Sequence, residues 1–346
     1  MFDSCFITPY NDIEKREISM KLGIIGTNFV SDSFVESARF VADLELVAVC
    51  SIVKEDAEKF AEKHTIPQTF TDYKEMADKN IIDAVYVAVP NSLHHDISIY
   101  YLEKGIHVLC EKPFASNYKE VVNMFEIAEK NNVFIMEAII PVQTPAFKAI
   151  KKNLHTLGTI RRAVLSFGKY SSRYDAYREG IIMNAFKNEL SNGSMMDIGV
   201  YCLYDAIALF GKPSSILANA VMLESGVDGL GSAILVYPDK EVILMHSKIT
   251  NMSPMIDIEG EDGTLVFEGI SQPTNVVITD RNGKTYPITE KEEYPPMYYE
   301  IADFVNCIKE GNYHSEFASR QLTEDVHEVL TEIRMAMGLI YPADKK

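Results

Sequence analysis

Four short stretches carry residue types that could hold a dinucleotide and move a hydride. Gly23-Ile24-Ile25-Gly26-Thr27-Asn28-Phe29-Val30-Ser31 joins an apolar run to an amphipathic segment. A pyrophosphate site there needs a tight turn, open backbone amides and a small residue where helix meets strand. Gly26 supplies the turn and Ser31 the small residue, with Thr27, Asn28, Phe29 and Val30 as the expected cofactor contacts. Asn28 stands where a middle glycine belongs, and its side chain would crowd a phosphate. The next strand ends Cys50-Ser51-Ile52-Val53-Lys54, without the carboxylate that accepts from ribose hydroxyls and repels a 2′-phosphate. Ser51 and Lys54 are candidate phosphate ligands, so NADP(H) is favoured modestly over NAD(H). The bland reading of Lys54 is a solvated helix-start residue.

Two further stretches, Val89-Pro90-Asn91-Ser92-Leu93-His94 and Cys110-Glu111-Lys112-Pro113-Phe114, each follow an apolar run. Ligands of open parallel sheets bind outside the carboxyl ends of strands, which places Pro90, Asn91, His94, Glu111 and Lys112 for a nicotinamide; His95 is expected to face solvent. Later, Asp197 and Tyr201 stand four apart and share a face if helical. A carboxylate near the start of a mostly apolar helix is buried only with a partner. Taking a hydride from a carbinol also requires its hydroxyl proton to leave, through a positioned acid or base.

Two kinds of framework are needed to position these residues. From Lys21 to about Glu137 short apolar runs alternate with amphipathic segments, the pattern of βαβ units and a doubly wound parallel sheet. The strands expected are Leu22 to Ile25, Leu46 to Cys50, Gln68 to Phe70, Ala84 to Val89, His107 to Cys110 and Val133 to Met136; helices are expected at Lys54 to His64, Ser92 to Lys104 and Asn117 to Asn131. Beyond residue 141 a helix from Pro145 to Leu154 leads to a strand from Ile160 to Gly168, then a loop rich in Tyr, Arg and Ser. A helix from Ser194, read as its cap, to Phe210 follows, and strands at close spacing, Ser215 to Met222, Ser232 to Val236, Val242 to Ser247, Met255 to Glu259, Thr264 to Phe267 and Asn275 to Thr279, predict a mostly antiparallel sheet. Helices at Met297 to Glu310 and Arg320 to Met337 close the chain.

Composition bounds the function. The chain has 346 residues, 33 Lys plus Arg against 50 Asp plus Glu, and a net charge of −17, so a nucleic-acid backbone or an anionic membrane would be repelled. Five scattered cysteines form no metal or disulfide pattern, and nothing resembles a ligand cluster, so no metal is expected. Cys50, Cys110 and Cys202 read as small buried hydrophobes. No apolar run approaches a membrane span, and the first twenty residues are not a signal peptide, so the expected location is a reducing cytoplasm. Residues 1–19 carry no periodic apolar face and read as an N-terminal extension, an upstream start being favoured over a loose arm. Residues 20–141 then form the dinucleotide-binding domain and 142–346 the substrate-binding and oligomerisation domain.

The turn at Gly26, the Pro90-Asn91 to His94 stretch, Glu111-Lys112-Pro113 and Glu137-Ala138 together resemble the glucose-fructose oxidoreductase, inositol dehydrogenase and MocA family. Leu190 to Tyr201 is similar to the Gly-rich segment and Asp-x-Gly-x-Tyr helix of the branch with glucose-fructose oxidoreductase and dimeric dihydrodiol dehydrogenase; other branches carry His at Tyr201. The resemblance implies a Rossmann domain, an open-faced second sheet, a substrate pocket between domains and a functional lysine matching Lys112. An open sheet face needs covering, which predicts a homo-oligomer, dimer or tetramer.

On this reading Tyr201 exchanges the substrate proton, while Lys112 binds the substrate oxygen and lowers the phenol's pKa from about 10. Lys112 acting as base, with Tyr201 positioning, is the competing assignment. Asp197 holds substrate or orients the pair. Tyr170, Arg173, Tyr174, Arg178 and Asn184 are candidate hydroxyl-binding groups, Arg178 and Asn184 foremost. The expected activity is NAD(P)-dependent interconversion of a secondary alcohol and its carbonyl on a sugar, a polyol or a trans-dihydrodiol. The rival is a nucleotide-binding sensor without turnover, supported by Asn28 and by Ile139-Ile140-Pro141, where many relatives carry an aromatic or Arg.

Overall fold

The first half winds as its apolar runs require. In the computed structural model, which describes residues 19–253, 256–288 and 291–345, six parallel strands form one sheet: β1 (Met20–Ile25), β2 (Leu44–Cys50), β3 (Gln68–Phe70), β4 (Ala84–Val87), β5 (His107–Glu111) and β6 (Ile135–Ala138). Their order is β3-β2-β1-β4-β5-β6, the doubly wound order that reverses beside β1. All four residues of β4 are buried, as a central strand covered on both faces must be. The covering helices are α1 (Phe29–Ala38), α2 (Lys54–His64), α3 (Tyr73–Asp78), α4 (His94–Glu103) and α5 (Tyr118–Lys130). Asn117 caps α5 by accepting from the Glu120 amide at 3.0 Å. The expected 1–19 extension falls, except for its last residue, outside the described residues.

The second half begins with α6 (Pro145–Asn153), capped by Thr144, and β7 (Ile160–Gly168). A short helix α7 (Tyr174–Arg178) occupies the expected Tyr/Arg/Ser-rich loop; none of its residues is buried, so no periodicity announced it. The chain then passes through one π-helical turn, Met195–Gly199, into α8 (Val200–Phe210), which ends at Gly211 with φ +74°. Strands β8 (Ser215–Met222), β9 (Asp228–Val236), β10 (Glu241–Ser247), β11 (Asp257–Gly260), β12 (Gly263–Glu268), β13 (Thr274–Asp280) and β14 (Thr285–Pro287) follow, then α9 (Met297–Lys309) and α10 (Arg320–Ala336). With β7 they make an eight-stranded sheet, β14-β13-β12-β11-β7-β10-β9-β8, antiparallel except for the β7/β10 pair. The expected start of β11 at Met255 lies outside the described residues.

One face of this sheet packs under α6, α8 and α10, burying Ala163, Leu165, Leu235, Val242 and Leu244. On the other face Leu217, Ile234, Ile243, Val164, Asp257, Val266, Val277 and Pro287 stand in register across all eight strands. Leu217 is 65% and Val266 42% exposed, so the face is open. Among the described residues only Asn188–Phe210 is long and apolar enough to cross a membrane, and its apolar window is 72% buried as the core helix of this half.

Ser194 does not cap this helix. Its own backbone is already helical, and its hydroxyl meets Nδ1 of buried His246 at 2.9 Å. The start is satisfied from another strand: Oδ2 of Asp228, on β9, accepts from the Met195 amide at 2.7 Å. A serine before an apolar run is the usual cap signal, but here tertiary packing supplied a stronger acceptor.

Candidate active site

The carboxyl ends of β1, β4 and β5 and the start of the π-helical turn face each other across a cleft of about 820 Å³. Asn28, Phe29, Val30, Pro90, Asn91, Glu111 and Lys112 line it from the first half, and Asn184, Asp197 and Tyr201 from the second. Asn91 ties the two sides together, its side-chain amide donating to the Ser191 carbonyl at 2.8 Å.

The turn after β1 is built differently from a glycine-rich loop. Gly26 has φ +106°, and a Cβ there would come within 2.1 Å of the Ala88 carbonyl, so both backbone conformation and close approach demand glycine. Asn28 is extended, with φ −85°, not left-handed. Its Oδ1 accepts from the amides of Val30 at 2.8 Å and Ser31 at 3.3 Å, and its Nδ2 donates to the Ala88 carbonyl at 3.0 Å. The side chain therefore folds back as the cap of α1 and braces the turn instead of standing over the groove. Gly26 and Thr27, both partly exposed, are not among the residues that line the cleft. A groove of this size beneath a helix N-terminus, with Gly26 leaving no Cβ against the neighbouring strand, fits a dinucleotide.

Lys112 lies 4.8 Å from the centre of the Tyr201 ring. Its Nζ donates to the Asp197 backbone carbonyl at 2.8 Å and to Asp197 Oδ1 at 3.2 Å. Burial alone would favour the neutral amine, but Tyr201, Asp197 and Glu111 outweigh it and push the Lys112 pKa above the lysine range. Burial also opposes ionisation of Asp197, yet the Lys112 and Lys248 ammoniums hold its carboxyl well below the usual carboxylate range. The expected acidification of Tyr201 is absent: burial, aided by Glu111 and Asp197, exceeds the pull of Lys112 and pushes the phenol up to about 12.

Glu111 accepts from the Tyr86 hydroxyl at 2.5 Å and from the Lys112 amide at 3.1 Å, and burial raises its pKa. Behind the loop, fully buried Glu137 accepts from the Phe114 amide at 3.0 Å and from the Tyr204 hydroxyl, with His327 Nε2 at 3.1 Å, and so anchors the segment that carries Lys112.

Several expected site residues lie elsewhere. His94 is fully buried, each ring nitrogen 2.9 Å from a carbonyl oxygen, Pro113 on one side and Val89 on the other; it braces the ends of β4 and β5 and does not reach the cleft. His95 is only partly exposed and meets Asp96 and Asn123. Ser51 accepts from the Val53 amide, and Lys54 pairs with Glu58 at 3.5 Å on its own helix; neither lines the cleft. Arg178 is exposed beside Asp175 at 3.9 Å, whereas Arg173 lines the cleft. The cleft also draws on Asn192, within the Leu190–Tyr201 segment, and on Gln272 and Met297, and Asp197 is held by Lys248; no local motif marks these last three. Among the described residues no group of His, Cys, Asp and Glu is arranged to hold a metal ion.

A doubly wound sheet that carries a candidate phosphate-binding turn and a cleft lysine, facing a tyrosine on the helix that packs under a second, open-faced sheet, defines a dinucleotide-binding oxidoreductase. Residues 20–139 match the oxidoreductase family with the NAD-binding Rossmann fold named for Gfo, Idh and MocA, and residues 152–266 match its C-terminal domain. The chain belongs to the Gfo/Idh/MocA family. It is 46% identical, over 94% of its length and 99% of the relative's, to the scyllo-inositol 2-dehydrogenase (NADP(+)) IolU of Bacillus subtilis strain 168. It is 29% identical to a trans-1,2-dihydrobenzene-1,2-diol dehydrogenase of Xenopus tropicalis, over 94% of this chain and all of that one. The 3-ketoreductase KijD10 of Actinomadura kijaniata, solved with TDP-benzene and NADP, has the same fold, with a TM-score of 0.81 at 19% identity over 92% of this chain and 98% of that one.

Proposed function

We propose that this protein is an NADP(H)-preferring dehydrogenase that interconverts a ring secondary alcohol of an inositol or related polyol with its ketone. The observation that carries the reading is the convergence of Lys112, Asp197 and Tyr201 in one cleft beside the turn at Asn28–Val30. The names of the inositol and dihydrodiol relatives support a vicinal hydroxyl substrate, and the first of them supports NADP. The absence of an acid after β2 agrees with that preference.

Bound in this cleft, the nicotinamide supplies or accepts the hydride. The remaining work falls to side chains. Lys112 donates a hydrogen bond to the substrate oxygen, kept charged and aimed by Asp197. Tyr201 exchanges the hydroxyl proton; Lys112 is the poorer base because its surroundings hold its proton. Arg173 and Asn184 meet the remaining hydroxyls. With the phenol near 12, both groups are acids at neutral pH, a state suited to protonating the oxygen of a carbonyl under reduction. Oxidation gains as the solution becomes alkaline.

The second sheet's open face supports a homo-oligomer in which a second copy covers the row from Leu217 to Val277. A cleft lined from both halves supports a division at 141/142 into a cofactor half and a substrate half. Free, buried Cys50, Cys110, Cys202 and Cys307 suit a cytoplasmic location.

Initial rates with NADP⁺ and NAD⁺ over scyllo-inositol, myo-inositol, aldoses and trans-dihydrodiols test the assignment. It expects oxidation of an inositol with NADP⁺ favoured about tenfold or more over NAD⁺, the scale of one lost charged contact. Tight NADPH binding with no turnover across the panel would make the protein a sensor.

A further inference from the structure

Lys248 directly follows β10 and is 4% exposed. A buried ammonium needs an anion, and its Nζ is hydrogen-bonded to Oδ2 of Asp197. The opposite oxygen, Oδ1, faces Lys112, whose Nζ also holds the Asp197 carbonyl. One carboxylate is thus gripped by two lysines, one from each half of the molecule. Lys248 itself is fixed: its amide donates to the Gly229 carbonyl at 2.9 Å, its carbonyl accepts from the Ser171 amide at 2.9 Å, and its ammonium lies 5.5 Å over the Phe186 ring. It does not line the cleft, so it has no direct access to substrate.

We propose that Lys248 is a positioning residue for the hydride-transfer site: it holds the far oxygen of Asp197, keeps the near oxygen and carbonyl aimed at Lys112, and limits how tightly that carboxylate grips the Lys112 ammonium. The inference deepens the dehydrogenase assignment and rests on it for the role of Lys112. Lys248 holds the carboxylate by its far oxygen, and its own positive charge repels the Lys112 ammonium, so the net attraction on Lys112 is weaker than Asp197 alone would give. The groups that face Lys112 are Asp197, Glu111 and Tyr201; Tyr201 is faced by Lys112, Glu111 and Asp197; Asp228 lies within range of Lys248. Removing the Lys248 charge therefore leaves Asp197 to Lys112 alone, and Lys112 gives up its proton less readily, by about one pH unit for a charge at this range in a partly screened site.

Trace acetylation of Lys112, read by mass spectrometry of its peptide, reports the free-amine fraction without any turnover. Lys248→Met should slow acetylation of Lys112 about tenfold at pH 9, with NADPH affinity unchanged, and Lys248→Arg should restore the wild-type rate. Lys248→Gln, which keeps a hydrogen-bond donor but no charge, is the second variant should the methionine protein not fold, and should slow labelling in the same sense. Labelling of Lys112 that is unchanged or faster in a folded uncharged variant overturns the proposal, since a merely structural lysine would loosen the site and expose Lys112. A wild-type protein that oxidises no polyol refutes the dehydrogenase assignment instead, and the labelling result stands apart from it.

Discussion

The Lys112 ammonium donates to the backbone carbonyl of Asp197 across 2.8 Å, a contact that depends on how the helix begins. Asp197 lies inside the π-helical turn Met195–Gly199, where the Val200 amide reaches back to the Met195 carbonyl. Such a turn disrupts the regular ladder of backbone bonds and often marks functional sites. The same residue thus offers Lys112 a carbonyl and a carboxylate oxygen.

Replacing Asp197 by Asn keeps the carbonyl and removes the charge. Two buried ammoniums, Lys112 and Lys248, are then left without their shared anion, so Lys112 loses its proton more readily. Asp197 also helps hold the Tyr201 phenol up, so without its charge the alkaline rise of the oxidation rate should begin at lower pH than in the wild type. Loss of aim should lower kcat about 10- to 100-fold, the scale of a misplaced catalytic group. A pH profile of kcat checks both signs.

The raised Tyr201 pKa predicts a pH asymmetry between directions. A phenol near 12 is protonated throughout the neutral range, so kcat/KM for oxidation should keep climbing between about pH 7 and 10, by up to about one log unit per pH unit. Reduction should stay flat over that interval. A plateau in oxidation already reached at pH 7 would show that Tyr201 is not the group that exchanges the proton.

Gly26→Ala adds a Cβ within 2.1 Å of the Ala88 carbonyl at a positive φ. Thermal unfolding should show a loss of more than about 1 kcal/mol, beyond the ordinary cost of alanine at such a conformation. NADPH affinity, read by fluorescence, should fall with it. Asn28→Ala removes the α1 cap and the brace to the Ala88 carbonyl and should cost about 1 to 2 kcal/mol.

Ser51 and Lys54 sit outside the cleft, with Lys54 paired to Glu58 on an exposed helix face. If Lys54 turns to hold a 2′-phosphate, Lys54→Ala should weaken NADPH about tenfold and leave NADH affinity unchanged. Equal loss for both cofactors, or for neither, would place the 2′-phosphate contact elsewhere.

Leu217 is exposed on the open sheet face, in register with Ile234 and Ile243. Leu217→Lys puts a charge into the surface that a second copy would bury, without touching the core. Sedimentation should show the oligomer dissociating toward the monomer, and an unchanged mass would exclude this face as the interface.

Local pattern was enough wherever one element carried its own signal. β3, α2, β7 and β8 run between the very residues expected, because apolar alternation and flanking turns bound them. Lys112, Asp197 and Tyr201 were legible because each sits in a short motif at an element end. Lys248 was not: it meets Asp197 from 51 residues away, at the end of an ordinary strand. Asp228 likewise displaced Ser194 as the acceptor at the helix start from a distance of 33 residues. The fate of His94 and Arg178 turned on side-chain direction, which residue type and spacing do not encode.

Steady-state oxidation by Tyr201→Phe, with NADPH affinity measured on the same sample, tests the central claim most directly. A phenol that exchanges the substrate proton predicts a fall in kcat of about 10²- to 10⁴-fold with cofactor affinity unchanged. A variant that turns over within a few-fold of the wild type at every pH would contradict it.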